Sequence, residues 1–196
     1  MRPDADALRW SAFLAGDERA FEAIFQAYYR ELYAYGMRLT GNEELTKDCI
    51  QDLFQRWWHC RSTLPALREV KPYVFKSMRH EVLAALKAQQ RNSRLQFDYA
   101  SGFEVQYSPE DFMIAQQLSA EQHAQLLAAL ARLSSRQREA IYLRFFSGFE
   151  YERISGIMGL TYQSTRNLIY QGLKLLRQSL TLTLLVLLSR LLGGAY

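Results

Sequence analysis

Apolar residues at 21, 24, 25, 28, 32, 35 and 39 keep the period of one helix face. Asp17 stands where an N-cap belongs, and Thr40-Gly41 breaks the run. Asn42 can cap a second long helix, to about Cys60. Residues 61–70, RSTLPALREV, read as a loop or irregular turn. Pro72 suits the first turn of the helix that follows, KPYVFKSMRHEVLAALKAQQR. Residues 93–108 hold no sustained period and include Gly102, which marks a linker. In SPED, Ser108 fits an N-cap, Pro109 a first helical residue and Asp111 a first-turn acid, for a helix to about Arg132. Ser134 or Ser135 caps the next helix, through about Phe146, which Gly148 ends. The short helix YERISGIM stops at Gly159, and Thr161 caps the last one.

The pattern predicts an all-α chain. It has two small helical domains, at 1–94 and 109–180, joined by a flexible acidic linker at 95–108. The second contains a helix-turn-helix, and an apolar tail occupies 181–196. With 49% apolar and 22% charged residues, the composition is that of a globular protein and not of a disordered one.

Charge changes the picture through its placement. Residues 1–60 carry seven cations and ten acids, and residues 61–94 carry eight and two. Residues 95–112 carry no cation and four acids, and residues 134–180 carry seven cations and three acids. Two basic blocks separated by an acidic stretch point to two nucleic-acid contacts on one chain. The N-terminus, MRPDADALRW, has no apolar signal core, and no stretch reaches the roughly 20 apolar residues that span a bilayer. A cytoplasmic protein is expected. Cys49 and Cys60 would lie ~16 Å apart along one helix, too far for a disulfide. His59 and His80 lack ligand spacing, so neither a metal site nor a cofactor is expected.

Three segments carry candidate chemistry. In YERISGIMGLTYQSTRNLIYQGLKLLR, residues Ile154, Ile157, Leu160, Thr165 and Leu168 or Ile169 can share a core, and Gly159 can supply the turn. Tyr162, Gln163, Ser164, Arg166, Asn167, Tyr170 and Lys174 would face outward. Arg, Asn and Gln on such a helix can read base edges in a major groove while Lys and Arg hold phosphates. An ordinary helical hairpin with polar outer faces would look the same. Lys71, Tyr73, Lys76, Arg79 and His80 interleave cations with aromatics on the basic helix, as a single-strand binder would. A solvated basic face with its aromatics in the core is the alternative, and the better one for Val74, Phe75 and Met78. Finally, DCIQDLFQRWW sets acids beside two adjacent tryptophans, which a surface built only for nucleic acid does not need.

Taken together, the segments resemble the extracytoplasmic-function group of sigma factors within the sigma-70 family, over about Phe21 to Leu180. DCIQDLFQRWW resembles the family's polymerase-docking helix, VKPYVFKSMRH its promoter-melting helix, and the stretch from Leu133 to Arg177 its promoter-reading domain. Glu44, Asp48 and Asp52 then form one acidic row, flanked by Gln51 and Gln55, with Phe54 and Trp58 as apolar anchors. The other possibility is a solvated acidic face with Phe54, Trp57 and Trp58 all in the core. The resemblance implies that core RNA polymerase is the partner, through its β′ clamp and β flap regions. It implies that Lys71 to His80, with the loop before them, capture the non-template strand of the −10 element and hold one extruded base. It implies that the helix-turn-helix reads the −35 element as duplex. It also implies an anti-sigma factor as partner, no small-molecule substrate and no enzymatic activity. The acidic linker, with Asp98, Glu104, Glu110 and Asp111, resembles the segment that threads toward the polymerase active centre.

Some positions depart from the family pattern. His80 stands where Asn is usual, Ala84 where Asp or Asn is common, and the terminal polybasic run is thinned to KAQQR. Leu168 and Gln171 occupy positions that are often basic. Fewer cations imply weak promoter binding by the free protein, with useful affinity only on the polymerase. The tail, SLTLTLLVLLSRLLGGAY, can continue the last helix, dock on a protein partner or second copy, or lie on a membrane surface. The competing function is a stand-alone helix-turn-helix transcriptional regulator that does not bind core polymerase. An enzyme is disfavoured, because no His, Cys or Gly-rich loop converges in sequence with Asp48 and Asp52.

Overall fold

A computed structural model of the chain describes residues 5–92, 125 and 128–179. Among these residues there are helices and turns but no strand. The chain divides into two compact units, Met1–Gln96 and Phe97–Tyr196. The linker expected at 95–108, the helix start expected at Ser108 and the tail 181–196 lie outside the described residues.

The first unit holds α1 (Ala5–Leu14), α2 (Glu18–Thr40), α3 (Glu43–Cys60), a single 3-10 turn (Arg61–Thr63) and α4 (Val70–Asn92). Asp17 caps α2 by accepting hydrogen bonds from the backbone N–H of Arg19 and Ala20. Asn42 caps α3 by accepting from Leu45 at 2.9 Å. Each such cap contributes about 1 kcal/mol. Between the two helices Gly41 takes the left-handed conformation, φ 61°, and its N–H returns to Met37 O. The chain thus reverses within two residues, and α2 and α3 pack side by side.

The period along α2 translates into packing. Ile24, Tyr28, Leu32, Tyr35 and Leu39 are buried where α2 packs on α1, α3 and α4, while Phe21 and Phe25 sit half-buried at the margin. Gly36 lets three helices approach. A Cβ there would lie 2.6 Å from Met78 Cε and 2.7 Å from Thr46 Cγ2. Thr46 spends its hydroxyl on Asn42 O at 2.7 Å, and also meets the Thr40 hydroxyl, so this buried polar group is satisfied.

Helix α1 was not expected from the sequence. Its ten residues are too few for a stable isolated helix. Tertiary contacts hold it instead: Trp10 and Phe13 have no exposed surface. Trp10 meets Phe13 and Trp57 edge-on at 5.1 Å and Tyr73 at 5.5 Å. The Tyr28 hydroxyl donates to Asp6 at the start of the helix.

The second unit contains α5 (Ser135–Phe145), α6 (Tyr151–Met158) and α7 (Tyr162–Ser179), preceded by a helical end at 128–131. Ser134 and Gln137 close a reciprocal capping box at the start of α5. Gly148 and Gly159 both have positive φ, 73° and 66°, where a side chain would be strained. Thr161 caps α7, accepting from Ser164 N at 3.1 Å. Ile154, Ile157, Thr165 and Ile169 are buried together as expected, whereas Leu160 and Leu168 reach only the margin. Gly172 is where α7 crosses closest to α5, since a Cβ there would lie 2.8 Å from Ile141 Cδ1.

Two outcomes follow from this packing. Gly36→Ala should lower the stability of the first unit by about 1–3 kcal/mol, seen in thermal denaturation, because overpacking outweighs the gain in helix propensity. Burial, then the nearby carboxylates of Glu81, Asp52 and Asp48, push the Cys49 thiol up to about 11, while Cys60 is exposed. A disulfide reagent at pH 8 should therefore titrate one thiol in the native protein and the second only after unfolding.

Candidate protein- and nucleic-acid-binding surfaces

Helix α3 has two unlike sides. Cys49, Ile50, Leu53, Phe54 and Trp57 are buried. Glu44, Asp48, Gln51, Asp52 and Gln55 are exposed on the other side. Among the described residues no cation pairs with Glu44, Asp48 or Asp52. Beside the row, Glu43 and Lys47 form an ion pair one turn apart, 2.6 Å, which holds the carboxyl below and the ammonium above their usual ranges.

Phe54 does not join this face. It is 4% exposed and packs against Phe25 at 5.0 Å, Trp57 at 5.2 Å and Phe21 at 5.8 Å. The expectation of an apolar anchor at Phe54 is corrected: at ~100° per residue it lies in line with Ile50 and Trp57, not with Asp52. Trp58 is half-buried at the edge, against Phe21 at 5.1 Å, with the Arg61 guanidinium 4.6 Å above its ring.

On α4 the structure divides the five expected residues. Lys76 and His80 are exposed one turn apart, and Lys87 continues the same side. Spacings of four and seven residues could have flagged Lys87 as part of that row. Lys71 is half-buried, paired with Glu31 at 2.9 Å, and its ammonium lies 5.9 Å above the Phe75 ring. Tyr73 is wedged between Trp10 and Trp57, at 5.5 and 5.8 Å, and burial raises its phenol above the usual range. Arg79 is 7% exposed and faces inward, next to Met78 in the buried register, so its expected place on an open basic surface is corrected. Val74, Phe75 and Met78 are core. Arg56 and Glu81 form an ion pair that ties α3 to α4.

The seven residues expected to face outward on α7 do so. Tyr162 and Tyr170 are 46% and 66% exposed, and Gln163, Ser164, Arg166, Asn167 and Lys174 are exposed with them. The amide of Gln163 donates to Asn167 Oδ1 at 3.3 Å, one turn further along the helix. Ser164 differs: its hydroxyl accepts from Thr161 and belongs to the helix cap. Tyr162 leans on Tyr151 of α6 at 6.1 Å, and the Arg144 guanidinium sits 5.2 Å above Tyr151.

An acidic helix face and an exposed basic row in one unit, with a helix-turn-helix in the other, are the parts of one recognised architecture. The description of sigma-70 region 2 matches residues 24–92, and that of sigma-70 region 4 matches residues 123–176. The chain belongs to the sigma-70 family. It is an extracytoplasmic-function (ECF) sigma factor, the subunit that directs RNA polymerase to promoters. It is 21% identical to the ECF RNA polymerase sigma factor SigX of Bacillus subtilis over 170 residues, 84% of this chain and 86% of that one. Two solved structures share the fold. CnrH, in complex with the cytosolic domain of CnrY, gives a TM-score of 0.61 at 18% identity, covering 89% of this chain and 96% of that one. The sigma factor RpoE from Bartonella quintana, in complex with the anti-sigma factor NepR, gives 0.58 at 21%, covering 81% and 94%. The region 2 match begins inside α2, so α1 of this sigma factor precedes it. Among the described residues no helix is long and apolar enough to cross a membrane, and no group of His, Cys, Asp and Glu could hold a metal ion.

The two sides of α3 should separate in mutants. Phe54→Ala should cost about 3–5 kcal/mol and lower the melting temperature of the first unit. Asp52→Ala should leave stability within about 0.5 kcal/mol, because an exposed carboxylate without an ion-pair partner contributes little to the fold.

Proposed function

We propose that this sigma factor grips core polymerase with the exposed side of α3. Glu44, Asp48 and Asp52 supply charge, Gln51 and Gln55 supply hydrogen bonds, and the edge of Trp58 supplies apolar contact. One observation carries the reading: a row of acids without ion-pair partners on a helix whose opposite side is locked into an aromatic core. Such a face selects a basic partner, and rigid backing means little order is lost on binding. The β′ clamp of the polymerase is the partner for this face, and the β flap for the second unit.

Promoter DNA meets two further surfaces. Lys76 and His80, with Lys87 beyond and Lys71 at the start of α4, follow the unpaired non-template strand at the −10 element. Arg79 and Phe54 act from the core, by holding these helices. On α7, Gln163, Arg166 and Asn167 read base edges of the −35 duplex, while Tyr162, Tyr170 and Lys174 flank them and Ser164 keeps the helix start in place. With so few cations per surface, either contact alone is weak, and binding becomes useful only when the polymerase joins them. The protein acts in the cytoplasm without catalysis or cofactor of its own. A polypeptide anti-sigma factor, like the NepR partner of RpoE, would inhibit it by covering the α3 face. A stand-alone regulator is not favoured, because it would have no use for that face.

Asp52→Lys should weaken binding to purified core polymerase by roughly 10-fold or more, and leave the helical content of the free protein unchanged. Retention of full affinity by this variant would remove α3 from the interface.

A further inference from the structure

Trp10 touches two segments that the −10 surface needs in fixed relation. Its indole Nε1–H donates to the backbone carbonyl of Pro65 at 2.9 Å, in the stretch between α3 and α4. The same ring lies 5.5 Å from Tyr73 in the first turn of α4 and 5.1 Å from Trp57 near the end of α3. The indole has no exposed surface, so its position is set by packing on every side. Its helix is tied in turn to α2 through Asp6, which accepts from the Tyr28 hydroxyl.

The stretch that Trp10 reaches is otherwise open. Pro65, Ala66, Arg68 and Glu69 are exposed, and Leu67 is half-buried. Its start is tethered by Arg61, which donates to Trp58 O at 2.6 Å and lies over the Trp58 ring. Its far end is Val70, 1% exposed, where α4 begins. Pro65 lies between these two anchors, and the bond from Trp10 holds it.

We propose that Trp10 is a positioning residue for capture of unpaired promoter DNA: it fixes residues 61–69 against the start of α4, so that loop and helix present one preformed surface to the −10 strand. The inference deepens the proposed function: it rests on the assignment of the −10 strand to α4 made there and extends that surface to the loop before the helix. Taking a base out of its stack costs a few kcal/mol, so a surface already in place gains affinity that a loosely held loop would lose in ordering. Helix α1 is thereby given work that its position ahead of the region 2 match does not announce.

The test uses the full chain assembled with core polymerase, on a promoter selected by that holoenzyme from a random-sequence library. The probes are a single-stranded oligonucleotide carrying the selected non-template −10 sequence and a duplex carrying its −35 sequence. Trp10→Phe keeps a ring and removes the N–H. It should weaken single-strand binding by roughly 2- to 10-fold, the range set by one net hydrogen bond. Core affinity and −35 binding should be unchanged, and backbone amides of 61–69 should exchange faster. Lys76→Ala checks the underlying assignment. If it weakens single-strand binding and Trp10→Phe does not, the positioning role is wrong and the assignment stands. If neither variant matters, the assignment fails and takes the inference with it. Equal losses of core, −35 and −10 binding in Trp10→Phe would make Trp10 a general structural residue and overturn the proposal. Should Trp10→Phe not fold, β-(3-benzothienyl)alanine at position 10 decides, since it keeps the bicyclic ring and replaces the N–H that Pro65 O accepts by sulfur. The same selective loss supports the proposal, and unchanged single-strand binding overturns it.

Discussion

The aromatic packing that fixes one side of α3 is the constraint on which the rest of the first unit depends. Phe54 and Trp57 are drawn into a cluster with Phe21, Phe25, Trp10 and Tyr73. Edge-to-face and offset pairs of this kind add about 0.5–1.5 kcal/mol each beyond their buried area. They also define a rotation. Once Phe54 and Trp57 point inward, Glu44, Asp48 and Asp52 can only point to water. The acidic row is therefore a consequence of how the core is built.

The same cluster reaches the other two elements of the unit. Through Tyr73 it sets the start of α4, and hence which residues of that helix reach the surface. Through Trp10 it holds a helix too short to persist by itself. Buried Arg79 and exposed Lys76 are three residues apart on one helix. A basic residue type says nothing of direction; the register of Val74, Phe75, Met78 and Val82 does.

Much of this was legible before any coordinates. Asp17, Asn42, Ser134 and Thr161 announce helix starts through their side-chain oxygens, and Gly159 announces a turn through its missing Cβ. The outward side of α7 followed from the buried register of Thr165 and Ile169. Three features were not legible. Helix α1 is invisible to propensity because distant partners, Trp57, Tyr73 and Tyr28, hold it. Phe54 looked like an anchor because it stands two residues from Asp52, although residues two apart on a helix point ~200° apart, to opposite sides. Arg79 looked available because an arginine is rarely buried, and its 7% exposure overrides that prior.

The account stands on the claim that the exposed acids of α3 meet the polymerase. Carbodiimide labelling of carboxylates, read by peptide mass spectrometry with and without core polymerase, measures this side chain by side chain. Glu44, Asp48 and Asp52 should lose most of their labelling when core is added, and exposed Glu18 and Glu22 should keep theirs. Equal labelling of the three α3 carboxylates in the free and polymerase-bound protein would contradict it.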